Sequence, residues 1–154
     1  MYTIRKGKEE DLPQVLTLIK ELATFEKAPE EVVNTIDKMS EEGFGDRRYF
    51  EFYVAETDQK IVGLALYFFS YSTWKGKSLY LDDIIVTEAY RGKGIGKKLF
   101  DQVAKAAKTE NCGKMHWQVL DWNTPAINYY KKLGASFDGE WINCALSREQ
   151  LNQL

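Results

Sequence analysis

Three alternating glycines in Arg91-Gly92-Lys93-Gly94-Ile95-Gly96 stand between an apolar, strand-like run ending at Val86 and a helical pattern that begins after Gly96. Glycine lets a backbone turn tightly and approach a ligand, and the amides at a helix start, helped by the helix dipole, suit phosphate oxygens. Lys93, Lys97 and Lys98 add positive charge at the same place. The spacing fits neither common nucleotide motif. A dinucleotide fingerprint would need glycine at Lys97 or Leu99, and a Walker A loop would need glycine at Arg91 and a hydroxyl residue at Lys98. The loop reads as a phosphate grip of another kind, with an ordinary glycine-rich strand-to-helix turn as the alternative. Just upstream, Asp82 and Asp83 are neighbours on the strand-like run, so regular alternation points them to opposite faces and excludes a paired-carboxylate dyad. Two isolated cysteines, Cys112 and Cys144, and the single histidine His116 suggest neither a disulfide framework nor a zinc site.

The scaffold for these residues is expected to be a single domain over residues 1–154, since 154 residues suffice for one sizeable core and not for two. With 44% hydrophobic, 14% aromatic and 29% charged residues, the composition is globular rather than disordered or fibrous. The longest apolar run, Ile61 to Phe69, is too short to cross a bilayer, and Met1-Tyr2-Thr3-Ile4-Arg5 lacks a signal peptide's apolar stretch. A soluble, cytoplasmic protein with no membrane partner is the expectation. Residues 1 to 60 hold 14 acidic against 9 basic side chains, and residues 88 to 132 hold 9 basic against 4 acidic. The basic half suits phosphates and the acidic half cations. Nucleic acid is disfavoured, because the basic residues gather round one loop and the net charge is -2.

Periodicity orders the elements. A short strand at Tyr2–Arg5 precedes a helix carrying Leu12, Val15, Leu16, Ile19, Leu22 and Ala23, and a second helix runs from after Pro29 to Gly43. Phe50–Glu56, Ile61–Phe69 and Leu79–Val86 are strands of an antiparallel meander. A helix with Leu99, Val103, Ala106 and Ala107 follows Gly96, then a strand at Met115–Leu120, a helix from Asn123 to Gly134 and a last strand near Glu140–Leu146. This order predicts an α/β sandwich with a mixed, mostly antiparallel sheet, one helical crossover allowing a parallel pair.

The loop has the R-x-x-G-x-G signature of the GNAT acyltransferases, which the sequence resembles from the first strand to about Leu146. Leu79–Val86 before the loop, Met115-His116-Trp117, and Asp121 to Tyr130 after it resemble the diamine acetyltransferase branch, which includes spermidine/spermine and thialysine acetyltransferases. The resemblance implies a GNAT-like sheet splayed at the cofactor site, acetyl-CoA as cofactor, and a homodimer. It implies that Ile84, Ile85 and Val86 pair with the pantetheine arm, with an amide of Ile84 or Ile85 as oxyanion donor. Arg91, Gly92, Lys93, Gly94, Ile95, Gly96 and Lys97 hold the diphosphate, and Asn123, Thr124, Pro125 and Ala126 touch the cofactor again. Tyr130 matches the family's general acid toward the departing thiolate. Glu26, Trp74 and His116 match residues near the substrate, with the alternatives of a solvated helix end, a loop packing residue and a structural histidine respectively.

A lysine-like amine with pKa near 10.4 costs about 4.6 kcal/mol to neutralise at pH 7, so an acid should face the site. Asp82 is the candidate base or water-positioner, standing where the branch usually has glutamate, and Asp83 is its neighbour in the substrate pocket. Phe25 replaces a tyrosine of the branch, and Ile142 stands where its polyamine acetylases carry arginine, which puts polyamine specificity in question. The first reading is N-acetylation of a small cationic amine by direct attack, since no cysteine is placed by the motifs to carry an acyl-enzyme. Acetylation of a protein lysine or N-terminus, or a non-catalytic acyl-CoA sensor, are the alternatives.

Overall fold

A computed structural model of the chain describes residues 1–154. The chain divides into two compact units, residues 1–118 and 119–154. The first holds a five-stranded sheet in the order β1 (Thr3–Lys6), β2 (Glu51–Thr57), β3 (Lys60–Ser72), β4 (Gly76–Val86), β5 (Lys114–His116). Its helices are α1 (Leu12–Phe25), α2 (Ile36–Phe44) and α3 (Ile95–Thr109). The second unit holds α4 (Thr124–Lys132) and α5 (Arg148–Asn152). No helix is long and apolar enough to cross a membrane.

The meander forms as expected, because β2 and β3 are joined by Asp58 and Gln59, whose φ values of 49° and 64° suit a tight two-residue hairpin. β1 to β4 pair antiparallel, and the crossover through α3 makes β4 and β5 parallel. On one face of the sheet, Leu12, Val15, Leu16 and Leu18 of α1 and Met39 of α2 pack with Phe52, Val54, Leu64, Leu66 and Ile85. On the other face α3 lies close against the strands. A Cβ at Gly63 would stand 3.0 Å from Leu99 Cδ1, 3.2 Å from Ala55 Cβ and 3.3 Å from Ile95 Cγ2. The missing side chain lets the first turn of α3 sit on the sheet, opposite Val86, the partner of Gly63 in β4.

The structure departs from the periodicity in four places. Pro29–Glu31 form only a 3-10 turn, and Val32 is extended. The α-helix starts after Thr35, whose hydroxyl accepts the Lys38 N–H at 3.2 Å. β5 stops at His116 instead of Leu120. The expected last strand at Glu140–Leu146 has no strand pairing, since strand-type residues form a strand only where a neighbour offers an edge. α5 was not expected, although Ser147 and Gln150 make a reciprocal capping box.

Gly63→Val should lower the free energy of unfolding by about 1–3 kcal/mol, because α3 must move off the sheet. Denaturant unfolding measures this, and a midpoint equal to wild type would mean the helix start is free to shift.

Candidate active site

β4 is paired with β3 as far as Gly63 opposite Val86, but with β5 only from Ser78 to Tyr80. Beyond Tyr80 its outer edge has no strand beside it, and every second residue turns its N–H and C=O into that gap. Ile84, Ile85 and Val86 lie on this open edge, which has the hydrogen-bonding capacity that an extended amide-containing arm would need. Thr87 N–H donates to Val62 O at 2.9 Å and ends the strand. Then Gly92 and Gly94 take φ values of 76° and 77°, with no atom within 4 Å of an added Cβ. Glycine is required there for conformation rather than for room.

Gly94 caps α3, whose first turn contains no acidic residue, so the amides of Ile95 and Gly96 open the helix toward an anion. The surrounding lysines are exposed. Lys97 is paired with Asp101 at 2.7 Å, while Lys93 and Lys98 lie over the rings of Tyr90 and Tyr2. Arg91 turns inward: its Nε donates to Val86 O at 2.8 Å, its Nη2 is 3.7 Å from Glu21, and its guanidinium lies 5.6 Å over the ring of Phe25. Its side chain therefore braces the loop, and the groups left to meet an anion are the main-chain amides. The residues present fit a diphosphate.

The register of β4 slips beside the loop. Leu66 is opposite Asp83 and Tyr67 opposite Leu81, which leaves Asp82 as an extra residue. Alternation fails at this point, so the argument from regular geometry against a carboxylate pair does not hold. Asp82 and Asp83 interact electrostatically with each other and with Glu26, the residue that caps α1. Burial, then Asp82 and Glu26, push the Asp83 carboxyl up to about 7. Burial also raises Asp82, and burial followed by Asp82 raises Glu26. Asp82 keeps part of its surface in solvent while burial acts on its carboxyl, and Asp83 is half-buried.

His116 sits on the last rung where β5 still pairs with β4, 3.1 Å from Ser70 Oγ and 4.8 Å from the ring of Tyr80. Burial, with Lys114 nearby, lowers its pKa, so the ring is held neutral in this tie. Trp74 is not brought to the carboxylates. It stands 82% exposed at the tip of the β3–β4 hairpin, and the strand from Gly76 to Asp82 spans roughly 20 Å.

In the second unit, Asn123 precedes the first turn of α4, with Thr124, Pro125 and Ala126 forming that turn. Tyr130 is the buried residue of this helix, and burial together with Tyr129 raises its pKa. Its phenol keeps its proton throughout the neutral range. Two features escaped the sequence: the bulge at Asp82, and Glu21, an unremarkable glutamate on a helix whose partners are 66 and more residues away.

A sequence model of the acetyltransferase (GNAT) family matches residues 13–135. The chain belongs to the GNAT acetyltransferase family. The family's acetyl donor is acetyl-CoA. This GNAT chain is 42% identical over 140 residues to a thialysine N-epsilon-acetyltransferase of Bos taurus, covering 86% of this chain and 82% of that one. It is 38% identical over 162 residues to the Mus musculus protein of the same name, covering 98% and 95%. Among solved structures, the aminoglycoside N-acetyltransferase AAC(6')-Iy in complex with CoA superposes with a TM-score of 0.74 at 19% identity, covering 96% and 95% of the two chains. That likeness concerns the fold.

Because Asp83 holds its proton up to about 7 in the folded chain and releases it near the ordinary 3.8 when unfolded, the fold binds the extra proton between those values. Stability from this group is complete below pH 3.8 and is lost as pH rises through 7. Asp83→Asn should therefore flatten the fall in melting temperature between pH 5 and 7.5 relative to wild type; parallel profiles for the two proteins would show that Asp83 titrates normally.

Proposed function

We propose that this GNAT chain acetylates a primary amine of a small cationic molecule, a diamine, polyamine or thialysine-like amino acid, by direct attack with both substrates bound. The observation that carries the substrate class is the group formed by Glu26, Asp82 and Asp83, whose mutual repulsion an incoming ammonium relieves. The names of the thialysine acetyltransferases it matches support the same class. Acetyl-CoA supplies the activated acetyl group when bound.

Main-chain groups of Ile84, Ile85 and Val86 hold the pantetheine arm, and an amide of Ile84 or Ile85 donates to the carbonyl oxygen as negative charge gathers on it. Arg91 braces the loop while Gly92, Lys93, Gly94, Ile95, Gly96 and Lys97 receive the diphosphate, and Asn123 to Ala126 give a second contact. Asp82, which solvent reaches, takes the amine's proton or positions the water that does, and passes it to bulk. Asp83 and Glu26 hold the cationic end of the amine. Tyr130 gives its proton to the departing thiolate, a task suited to a phenol that burial keeps protonated, and the second proton shed by the nitrogen as the amide forms restores the phenol by way of solvent. His116, tied to Ser70, shapes the wall of the pocket.

The purified protein, given acetyl-CoA and followed by thiol release, should acetylate at least one of putrescine, spermidine, spermine, lysine and thialysine in preference to peptide amines. Turnover on peptides alone would transfer the reading to a protein acetyltransferase. Tyr130→Phe should fold and bind CoA as wild type does, with kcat reduced by about a hundredfold. Asp82→Asn should alter the pH–rate profile, and an unaltered profile would remove Asp82 from proton transfer.

The working form is a homodimer. Residues 137–146 expose Phe137, Trp141, Ile142 and Leu146 without strand pairing, and β5 leaves the sheet with an open outer edge. Both features suit contact between copies. Sedimentation should give a dimer that Ile142→Glu weakens; a monomer at micromolar concentration would contradict the assignment.

A further inference from the structure

Glu21 lies one turn before the end of α1 and belongs to none of the motifs that mark the cofactor or the amine. Its carboxylate nonetheless gathers the corner between β4 and the glycine loop. Thr87 Oγ1 lies 3.1 and 2.9 Å from its two oxygens, and Glu88 N–H donates to Oε1 at 3.2 Å. Arg91 Nη2 stands 3.7 Å from the same Oε1. Arg91 is in turn fixed by Val86 O at 2.8 Å and by the ring of Phe25, the last residue of α1. Two residues in the final turns of one helix, Glu21 and Phe25, thus hold residues 87–91, and the next residue after Phe25 is Glu26.

We infer that Glu21 is a positioning residue: through Thr87, Glu88 and Arg91 it locks the end of α1, which carries the amine-facing Glu26, to the loop whose amides receive the diphosphate. The inference rests on reading that loop as the diphosphate grip. Direct attack between two bound substrates requires the reacting atoms to be held within a fraction of an ångström, and the two binding elements here come from opposite sides of the open edge of β4. A bridge between those elements transmits its loss to both substrates at once. A surface ion pair that served only to stabilise the fold would not, because a half-exposed pair contributes little and touches neither site.

The test compares Glu21→Ala, Glu21→Gln and Thr87→Val with wild type. The glutamine keeps an oxygen for Thr87 and Glu88 while losing the charge that faces Arg91, and Thr87→Val removes one hydroxyl and leaves the ion pair. Glu21→Ala should raise KM for acetyl-CoA and for the amine by about tenfold each, the size expected for loss of hydrogen bonds to a charged group. Glu21→Gln should recover most of that loss, and Thr87→Val should show a smaller rise in both constants. Calorimetry with CoA separates the two levels of the argument. A wild-type protein that does not bind CoA overturns the reading of the loop and the inference with it. Wild-type binding, together with unchanged KM values in all three variants, overturns the role of Glu21 alone. A lowered melting temperature with both KM values intact reduces it to a structural bridge.

Discussion

The site depends on a single asymmetry in backbone pairing: β4 is bonded along its whole length on one side and along only its first part on the other. Unpaired peptide groups are costly when buried, so such an edge persists only where water or a ligand can reach it. The gap opens from a fixed point. Gly113 N–H donates to Lys77 O at 2.8 Å, and a side chain there would come within 2.0 Å of Lys75 O, so β5 must start pressed against β4. Three residues later it departs, just past His116, which reaches across β4 to Ser70 of β3. On the inner side, Gly63 lets α3 press close enough to bring the start of that helix beside Val86. Two close approaches made by glycines therefore fix where β5 starts against β4 and where the start of α3 meets the sheet.

The carboxylates sort into two kinds by what surrounds them. Asp11 and Glu56 share Arg5, at 2.8 and 2.7 Å, and that partner holds both below their ordinary range. They join the start of α1 to β1 and β2. Glu26, Asp82 and Asp83 are shifted the opposite way, with no basic side chain to balance them. A fold gains nothing from such a group, since repulsion and burial both oppose its charge. A bound cation would offset both effects, and the amine site proposed above rests on that balance.

Much of the scaffold was legible because it is written in local periodicity. The apolar spacing of Leu12, Val15 and Leu16 and of Leu99 and Val103 places two helices, and the aromatic and branched runs place the meander. The glycine loop was legible for a different reason: only a few residue types accept the backbone angles of Gly92 and Gly94. What could not be read is non-local. Asp82 and Asp83 look like alternating neighbours until the register of β3 shows one residue too many, and no pattern within β4 announces the bulge. Glu21 looks like one of many solvated helix glutamates, and its role appears only when Thr87 and Arg91 are placed beside it. Glu140–Leu146 carries strand-forming residues, yet strand formation belongs to a pair of segments, and one segment cannot specify its partner.

The same reasoning limits where selectivity for the amine can reside. Phe25 replaces a tyrosine of the polyamine branch, a change that looks like a lost hydrogen bond to substrate. In the structure the Arg91 guanidinium lies 5.6 Å over its ring, so the residue packs against the side chain that braces the glycine loop. On the function proposed above, discrimination falls to Glu26, Asp82 and Asp83. Carboxylates concentrated at one place favour positive charge near the reacting nitrogen, but they do not measure the length of the chain behind it, which would require a second charge farther along. Amines that differ in the number of methylenes are therefore separated less sharply by this cluster than amines that differ in charge.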